Sequence, residues 1–226
     1  MNSILKSAVL LFSVVFVFYS CSNKEVEGET EINEQKIFAT PEEAAAKAKN
    51  DLIQVLEKNK DLNLGIDVAK LRNAELAKLV PDVEVNFEKI LSTETVMSLS
   101  EIASPPKSMI APFVLENTVV GVAELEEVRK GWKVVGLGNK QITDDLNKSG
   151  VARNSDAAVT IYEVPNLQFF IYGVKKDISE TYYLNFGDFN LKESTALTTF
   201  YPAVRESAVR FQKEFGERLK KEKLVK

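Results

Sequence analysis

The sequence contains no histidine, and this absence removes most of the common catalytic and metal-binding arrangements. Nucleophile systems in which a serine or cysteine is activated by a histidine base are excluded. The usual zinc sites and the commonest general base are excluded for the same reason. Any catalysis by this chain would therefore have to rest on carboxylates, lysine or tyrosine, and the sequence favours a protein that is not an enzyme.

The sequence also has a single cysteine and a small net charge. Cys21 is the one cysteine in the sequence, so no disulfide can form within a single molecule. If residues 1–20 are removed, Lys6 leaves with them, and 28 basic residues face 33 acidic residues, a formal charge of −5. This mild acidity, without a basic patch to follow a phosphate backbone, argues against nucleic acid as a partner.

Long apolar runs are also missing except near the start of the chain. Lys6 is followed by an apolar run over 8–19, and then by Ser20 and Cys21. A charged start, an apolar run of roughly 7–15 residues and a small residue are typical of a secretory signal peptide. The run is too short for a membrane-spanning helix, which needs about 20 residues. We therefore expect residues 1–20 to be a signal peptide.

Ser20 followed at once by Cys21 resembles the lipobox of bacterial lipoproteins, which carry a type II signal peptide. Phe18 and Tyr19 stand where the usual box has leucine and a small residue, and this relaxed form resembles the boxes of Bacteroidota lipoproteins. The resemblance implies that the Cys21 thiol is acylated and anchors the protein to a membrane of the cell envelope, on the periplasmic or surface face of the outer membrane. The alternative is a cysteine that merely lies near an ordinary cleavage site.

Residues 21–37 are predicted to form a flexible acidic tether. The segment 22–36 has five glutamates, two lysines and no helical or strand periodicity. Acidic residues directly after the cysteine resemble the surface-export signals of Bacteroidota lipoproteins. A plain solvated spacer explains the same composition, and both interpretations stay open.

Residues 38–226 are predicted to form an α+β domain, an antiparallel sheet packed by an N-terminal and a C-terminal amphipathic helix. Thr40, Pro41 and Glu43 form a helix start with a capping box. A buried stripe at helical spacing predicts a last helix over 199–223. Alternating or continuous apolar patterns predict strands over 83–87, 109–115, 119–128, 132–137, 157–164, 166–174 and 181–186, and a short helix over 141–147.

A division into subdomains 38–150 and 155–226 is left open. The hairpin over 109–128, the motif GWKVVGLG at 131–138 and the short helix after it resemble a type common among uncharacterised secreted bacterial α+β proteins. This resemblance covers about Phe38 to Asn147. Its motifs are structural, so it implies a fold and no activity.

Aromatic side chains in the last strands are the candidate ligand-binding residues. They could line a groove for sugar, lipid or peptide, or they could fill the core between the sheet and the last helix. The four candidates are Phe170, Tyr172, Tyr182 and Tyr183.

Five carboxylates are candidates for acid/base pairs, with solvation at an edge as the alternative: Glu124, Glu126, Glu127, Asp144 and Asp145. Adjacent residues on a helix point in different directions, so Asp144 and Asp145 are poorly placed as a pair. Calcium is a minor alternative for Glu124 and Glu126, but no loop has EF-hand spacing. We therefore predict no cofactor and no metal.

The hypothesis from the sequence is a cell-envelope lipoprotein that acts as a non-enzymatic binding or accessory module. Its partners would be the membrane, through Cys21, and an envelope protein or a glycan. One alternative is a protease inhibitor or propeptide-like domain with helix-plus-sheet architecture, which is an analogy at the level of the fold. Another is a hydrolase that uses carboxylates alone.

Overall fold

The computed structural model describes residues 36–62, 64–151 and 157–221, with side chains described up to residue 216. The predicted signal peptide 1–20, the lipidation site Cys21 and all but the last two residues of the predicted tether lie outside the described residues. Within the part of the chain that is described, no helix combines the length and the apolar character that crossing a membrane requires.

The described residues form helices and strands in alternating groups, which confirms the mixed α+β class. The helices are α1 (Pro41–Lys58), α2 (Val68–Asn73), α3 (Phe87–Ser92), α4 (Lys140–Ser149) and α5 (Leu197–Lys221). The strands are β1 (Glu75–Leu76), β2 (Val80–Glu84), β3 (Ser108–Leu115), β4 (Thr118–Val128), β5 (Gly131–Leu137), β6 (Ala158–Val164), β7 (Phe169–Lys176) and β8 (Ser179–Leu184).

The strands form one sheet in the order β5-β4-β3-β2-β6-β7-β8, with β1 paired to β3 outside this path. Neighbouring strands are antiparallel except β2 and β6, which run parallel and place Asp82 opposite Ile161. The sheet is therefore mostly antiparallel, as predicted, and departs from the prediction at this one pair of the described strands. β2 and β6 come from the two halves of the chain, so the sheet continues across the proposed boundary between subdomains.

One face of the sheet carries two hydrophobic clusters. α1 and α2 share a cluster with β3, β4 and β5, in which Ala48 and Leu52 meet Ala111 and Leu125. α3 and α5 share the other cluster with β2, β6, β7 and β8. Side chains alternate between the two faces of a strand, so Ile110, next to Ala111 on β3, belongs to a cluster on the opposite face.

The opposite face of the sheet is covered by α4. Ile142 and Leu146 belong to a cluster with residues from β2, β3, β4, β6 and β7. Strands as far apart in the sheet as β4 and β7 contribute to it, so the cluster beneath this short helix extends across several strands. β7 is buried on both faces, as its two-sided apolar pattern predicted.

Several boundaries differ from the prediction by a few residues, and at two of them a local feature explains the difference. Phe87 was assigned to a strand but begins α3, since the Asn86 side chain caps that helix by accepting from Lys89 N at 3.0 Å. β7 begins at Phe169 rather than Asn166, because Pro165–Leu167 forms a 3₁₀ turn. This turn is followed by Gln168 in a left-handed conformation.

Candidate functional site

An open cavity of about 480 Å³ lies between α4 and the strands β7 and β8, and we call it the α4 cleft. Its first wall is α4, which contributes Lys140, Gln141, Asp144, Asp145 and Lys148. The opposite wall consists of Gln168, Phe169, Phe170 and Asn185. Charged and amide side chains therefore surround the space, with aromatic residues at one side.

α4 is held in place at both ends by polar contacts with β4. Asn139 caps the helix, accepting from Ile142 N at 3.1 Å, while its amide nitrogen donates to Glu124 Oε1 at 3.0 Å. Asn147 accepts from Val119 N at 2.9 Å and donates to Val119 O at 2.7 Å. The polar wall of the cleft is therefore anchored to the sheet.

Asp145 is the buried charged group of the α4 cleft, with 9% of its surface exposed. The Tyr172 hydroxyl donates to its Oδ2 atom at 3.0 Å. Burial raises the pKa of the Asp145 carboxyl, while the bond from Tyr172 and the charge of Lys148 oppose that rise. Burial, with the Asp145 charge second, also raises the pKa of Tyr172. Tyr172 therefore acts as the hydrogen-bond donor of this pair.

The lysines of α4 differ in their partners. Lys140 Nζ bonds to Asp144 Oδ2 at 2.6 Å, one helical turn away on an exposed surface. Lys148 is exposed and has no carboxylate within ion-pair distance among the residues that the structure describes. Lys148 is therefore the cation of this wall that is available to a ligand.

The opposite wall contains a strained residue. Gln168 has φ 55° and ψ 44°, a left-handed conformation that costs a residue with a Cβ atom about 1–2 kcal/mol. Its backbone N–H donates to Pro165 O at 3.1 Å, and its side chain is exposed at the cleft. Phe170, two residues later, is half-buried beside the same space.

The predicted aromatic candidates do not share one groove. Tyr172 and Tyr182 are almost fully buried and belong to clusters on opposite faces of the sheet. Tyr183 is half-buried on the same face as Tyr172, and Phe170 borders the α4 cleft. The four residues therefore do not line one groove: alternation sends Tyr182 to the opposite face from the other three, Tyr172 is buried, and of the four only Phe170 lines the cleft.

The predicted carboxylates are held by separate partners. Glu124 accepts from Asn139, and Glu126 pairs with Lys133 Nζ at 2.6 Å. Asp144 and Asp145 diverge, as expected for neighbours on a helix, toward Lys140 and Tyr172. No group of three metal-binding side chains with suitable geometry occurs within the described ranges.

A second carboxylate group was missed from the sequence. Asp82, Glu84 and Glu163 line a cavity of about 230 Å³ where β2 and β6 meet. The Asp82 Oδ1 atom is buried and has no hydrogen-bond partner among the described residues. Burial, followed by the charges of Glu163 and Glu124, raises the pKa of Asp82 to about 6. Burial also raises the pKa of Glu163.

The alternation of Asp82 and Glu84 with Val83 and Val85 was a visible signal for one half of this group. The position of Glu163 was not visible, since it depends on the parallel pairing of β2 with β6. Comparison of the chain with protein-family models, with curated proteins and with solved structures found no match.

Proposed function

We propose that this protein is a cell-envelope lipoprotein that acts as a non-enzymatic binding module, and that the α4 cleft binds a hydroxyl-rich ligand such as a glycan. The observation that carries the proposal is the lining of the cleft. Amide side chains from two walls face a space beside Phe170, and α4 is anchored to the sheet by Asn139 and Asn147. Ligand sites are commonly preformed spaces of this size with a few convergent polar groups.

The chemistry of the lining favours hydroxyl groups as ligands. Gln141, Gln168 and Asn185 each provide both a donor and an acceptor, which matches a sugar hydroxyl that donates and accepts at once. Phe170 adds an apolar surface against which the carbon face of a sugar ring can pack. An apolar ligand would instead leave these polar groups without partners.

The envelope part of the proposal rests on the apolar run before Cys21 and the acidic segment after it. We expect full-length protein, expressed in a bacterium that processes lipoproteins, to incorporate an alkyne-tagged fatty acid and to fractionate with membranes. The variant Cys21→Ser should lose the label. Retention of the label by this variant would contradict attachment at Cys21.

In this proposal the terminal helices are structural. α1 and α5 pack one face of the sheet, which the two clusters on that face support, and leave the α4 side for ligand. The cleft would therefore tolerate changes on the exposed surface of α1, and this provides a control for binding experiments.

Binding is tested by screening purified full-length protein against a panel of neutral and acidic oligosaccharides, followed by calorimetry. We expect Gln168→Ala and Asn185→Ala to weaken the binding of any sugar retained by the wild type. Gln54→Ala is the matched control, because Gln54 is an exposed amide on α1. Equal effects of all three substitutions would contradict a site in the cleft.

The carboxylate-dependent hydrolase is the second candidate, and a different observation favours it. Asp82, with a pKa raised to about 6, lies beside Glu84 and Glu163 in one cavity, and acid/base hydrolysis uses a pair of carboxyl groups of which the general acid has a raised pKa. Release of reducing ends from an envelope polysaccharide, abolished by Asp82→Asn, would support this candidate. A wild type without such activity would remove it.

A further inference from the structure

A second cavity of about 380 Å³ adjoins the α4 cleft, and Lys148 and Asn185 line both spaces. Its other lining residues are Asn190, Leu191, Lys192 and Glu193, from the segment after β8. A local hydrogen bond stabilises this segment, because the Asn190 side chain accepts from Lys192 N at 2.9 Å. The two cavities are therefore adjoining parts of one surface groove, with Lys148 and Asn185 at the junction.

The arrangement of the two adjoining cavities favours an extended ligand. Each cavity taken alone lies toward the lower end of the range of about 300–1,000 Å³ that is typical for small-molecule sites. Because the spaces share two lining residues, one ligand that fills both must pass over the junction. A linear chain of similar units meets this requirement, and a single compact molecule would occupy only one space.

The distribution of charge adds a second constraint. Of the three lysines of the groove, Lys140 is bonded to Asp144, whereas Lys148 at the junction and Lys192 in the second cavity have no carboxylate within ion-pair distance in the described part of the chain. Asp145, the carboxyl nearest in sequence to that lysine within the groove, is buried and bonded to Tyr172. An anionic group at the junction would therefore meet an available cation.

We infer that the groove binds an acidic oligosaccharide, a sugar chain bearing carboxylate or sulfate groups, with one acidic group at Lys148. The amides of Gln168, Asn185 and Asn190 hydrogen-bond to hydroxyls of the units on either side. This inference rests on the proposed function, since it specifies the ligand of the same cleft. Beyond the proposed function, the inference specifies that the ligand is acidic, that it also fills the second cavity, and that it is an extended sugar chain.

Calorimetry with full-length protein and sugars of defined length tests the inference. The probes are hexagalacturonate, a sulfated hexasaccharide, an uncharged hexasaccharide and digalacturonate. We expect at least one acidic hexamer to bind more tightly than the uncharged hexamer, and more tightly than digalacturonate, which can fill one cavity only. Tighter binding of the first or of the second hexamer distinguishes carboxylate from sulfate.

Two substitutions distinguish a specific site at Lys148 from a general attraction between an acidic ligand and the lysines of the protein surface. We expect Lys148→Met, which keeps the length of the side chain, to weaken binding of the acidic hexamer by about three- to tenfold. Lys213→Met, on the exposed surface of α5, should leave it unchanged. An equal loss in both variants would overturn the assignment of Lys148.

The remaining outcomes distinguish this inference from the function on which it rests. Binding of the uncharged hexamer with the affinity of the acidic ones would overturn the acidic ligand and leave the glycan-binding proposal in place. Equal affinity for digalacturonate and hexagalacturonate would overturn the two-cavity groove. Failure of all four probes, together with failure of the oligosaccharide panel, would overturn both proposals.

Discussion

The hydroxyl of Tyr172 donates to Oδ2 of Asp145 at 3.0 Å, and this bond connects α4 to β7 at the base of the cleft. α4 is also bonded to β4 through Asn147. The short helix therefore makes polar contacts to strands that are four places apart in the sheet order. The proposed glycan site and the inferred acidic ligand both depend on α4 being held in this position.

Removal of the Tyr172 hydroxyl should destabilise the protein. In Tyr172→Phe the buried Asp145 carboxyl loses its donor, and we expect a loss of about 1–3 kcal/mol in the free energy of unfolding. Tyr183→Phe is the matched control, since Tyr183 lies opposite Tyr172 on β8 and is only half-buried. Urea unfolding followed by circular dichroism measures both. Equal stabilities of the two variants would contradict a structural role for the bond.

Asp82 should make the protein less stable as the pH rises. Its pKa is raised from 3.8 to about 6 in the folded state, so the folded protein holds this proton more tightly than the unfolded chain. The stabilisation is complete below pH 4 and is lost as the pH increases through 6. One pKa unit corresponds to about 1.4 kcal/mol, and we expect Asp82→Asn to be about 1–3 kcal/mol more stable than the wild type at pH 7.5.

The measurement is a series of denaturation midpoints between pH 4 and pH 8. The gain from Asp82→Asn should disappear at pH 4, where the wild-type carboxyl is neutral as well. Asp61→Asn, at an exposed position, should follow the wild type at every pH. A variant at Asp82 that is less stable than the wild type at pH 7.5 would show that the carboxylate has a stabilising partner.

A substitution at Gln168 should change sugar binding much more than it changes stability. Glycine adopts the left-handed conformation of this residue without strain, but it also loses more entropy on folding. We expect Gln168→Gly to stay within about 1 kcal/mol of the wild type in stability while sugar binding weakens. Thermal unfolding and calorimetry on the same sample measure both quantities. Unchanged sugar binding would remove Gln168 from the site.

The N-cap of α1 provides a prediction about the scaffold alone. Thr40 accepts from Glu43 N at 3.2 Å, and we expect Thr40→Ala to lower the free energy of unfolding by about 1 kcal/mol. Thr40→Ser keeps the oxygen and should retain most of that stability. Both variants should bind sugar like the wild type, because α1 packs on the face away from the cleft. A change in sugar affinity would contradict this separation of scaffold and site.

Local signals in the sequence were sufficient for several of these features. The cap at Thr40 and the two-sided burial of β7 follow from residues close together in the chain, and both are confirmed. The predicted capping box is only partly confirmed, because the Glu43 side chain accepts from Ala39 N and not from the N–H of the N-cap residue Thr40. At one boundary a single residue was decisive, because Asn86 caps a helix in a segment that alternates like a strand.

Features that depend on distant pairing could not be predicted. The parallel contact of β2 with β6 joins segments about 80 residues apart, and it alone brings Glu163 beside Glu84. The α4 cleft was missed for the same reason. Asp145 was visible as a residue of the predicted helix 141–147, with Lys148 directly after it, but only the tertiary structure places them beside Gln168 and Asn185. Burial of both faces of β7 also left the sequence unable to distinguish Phe170, at the cleft, from Tyr172 in the core.

The most direct test of the account is a map of backbone amide shifts by NMR as oligosaccharide from the binding panel is added to isotope-labelled protein. The account predicts that the shifted residues cluster at 140–148, 168–170 and 185, with 190–193 added for an acidic hexamer. It also predicts that amides of α1 and α5 stay unchanged. Shifts concentrated around Asp82 and Glu163 would contradict the α4 cleft as the binding site, and the absence of any shift across the panel would contradict glycan binding.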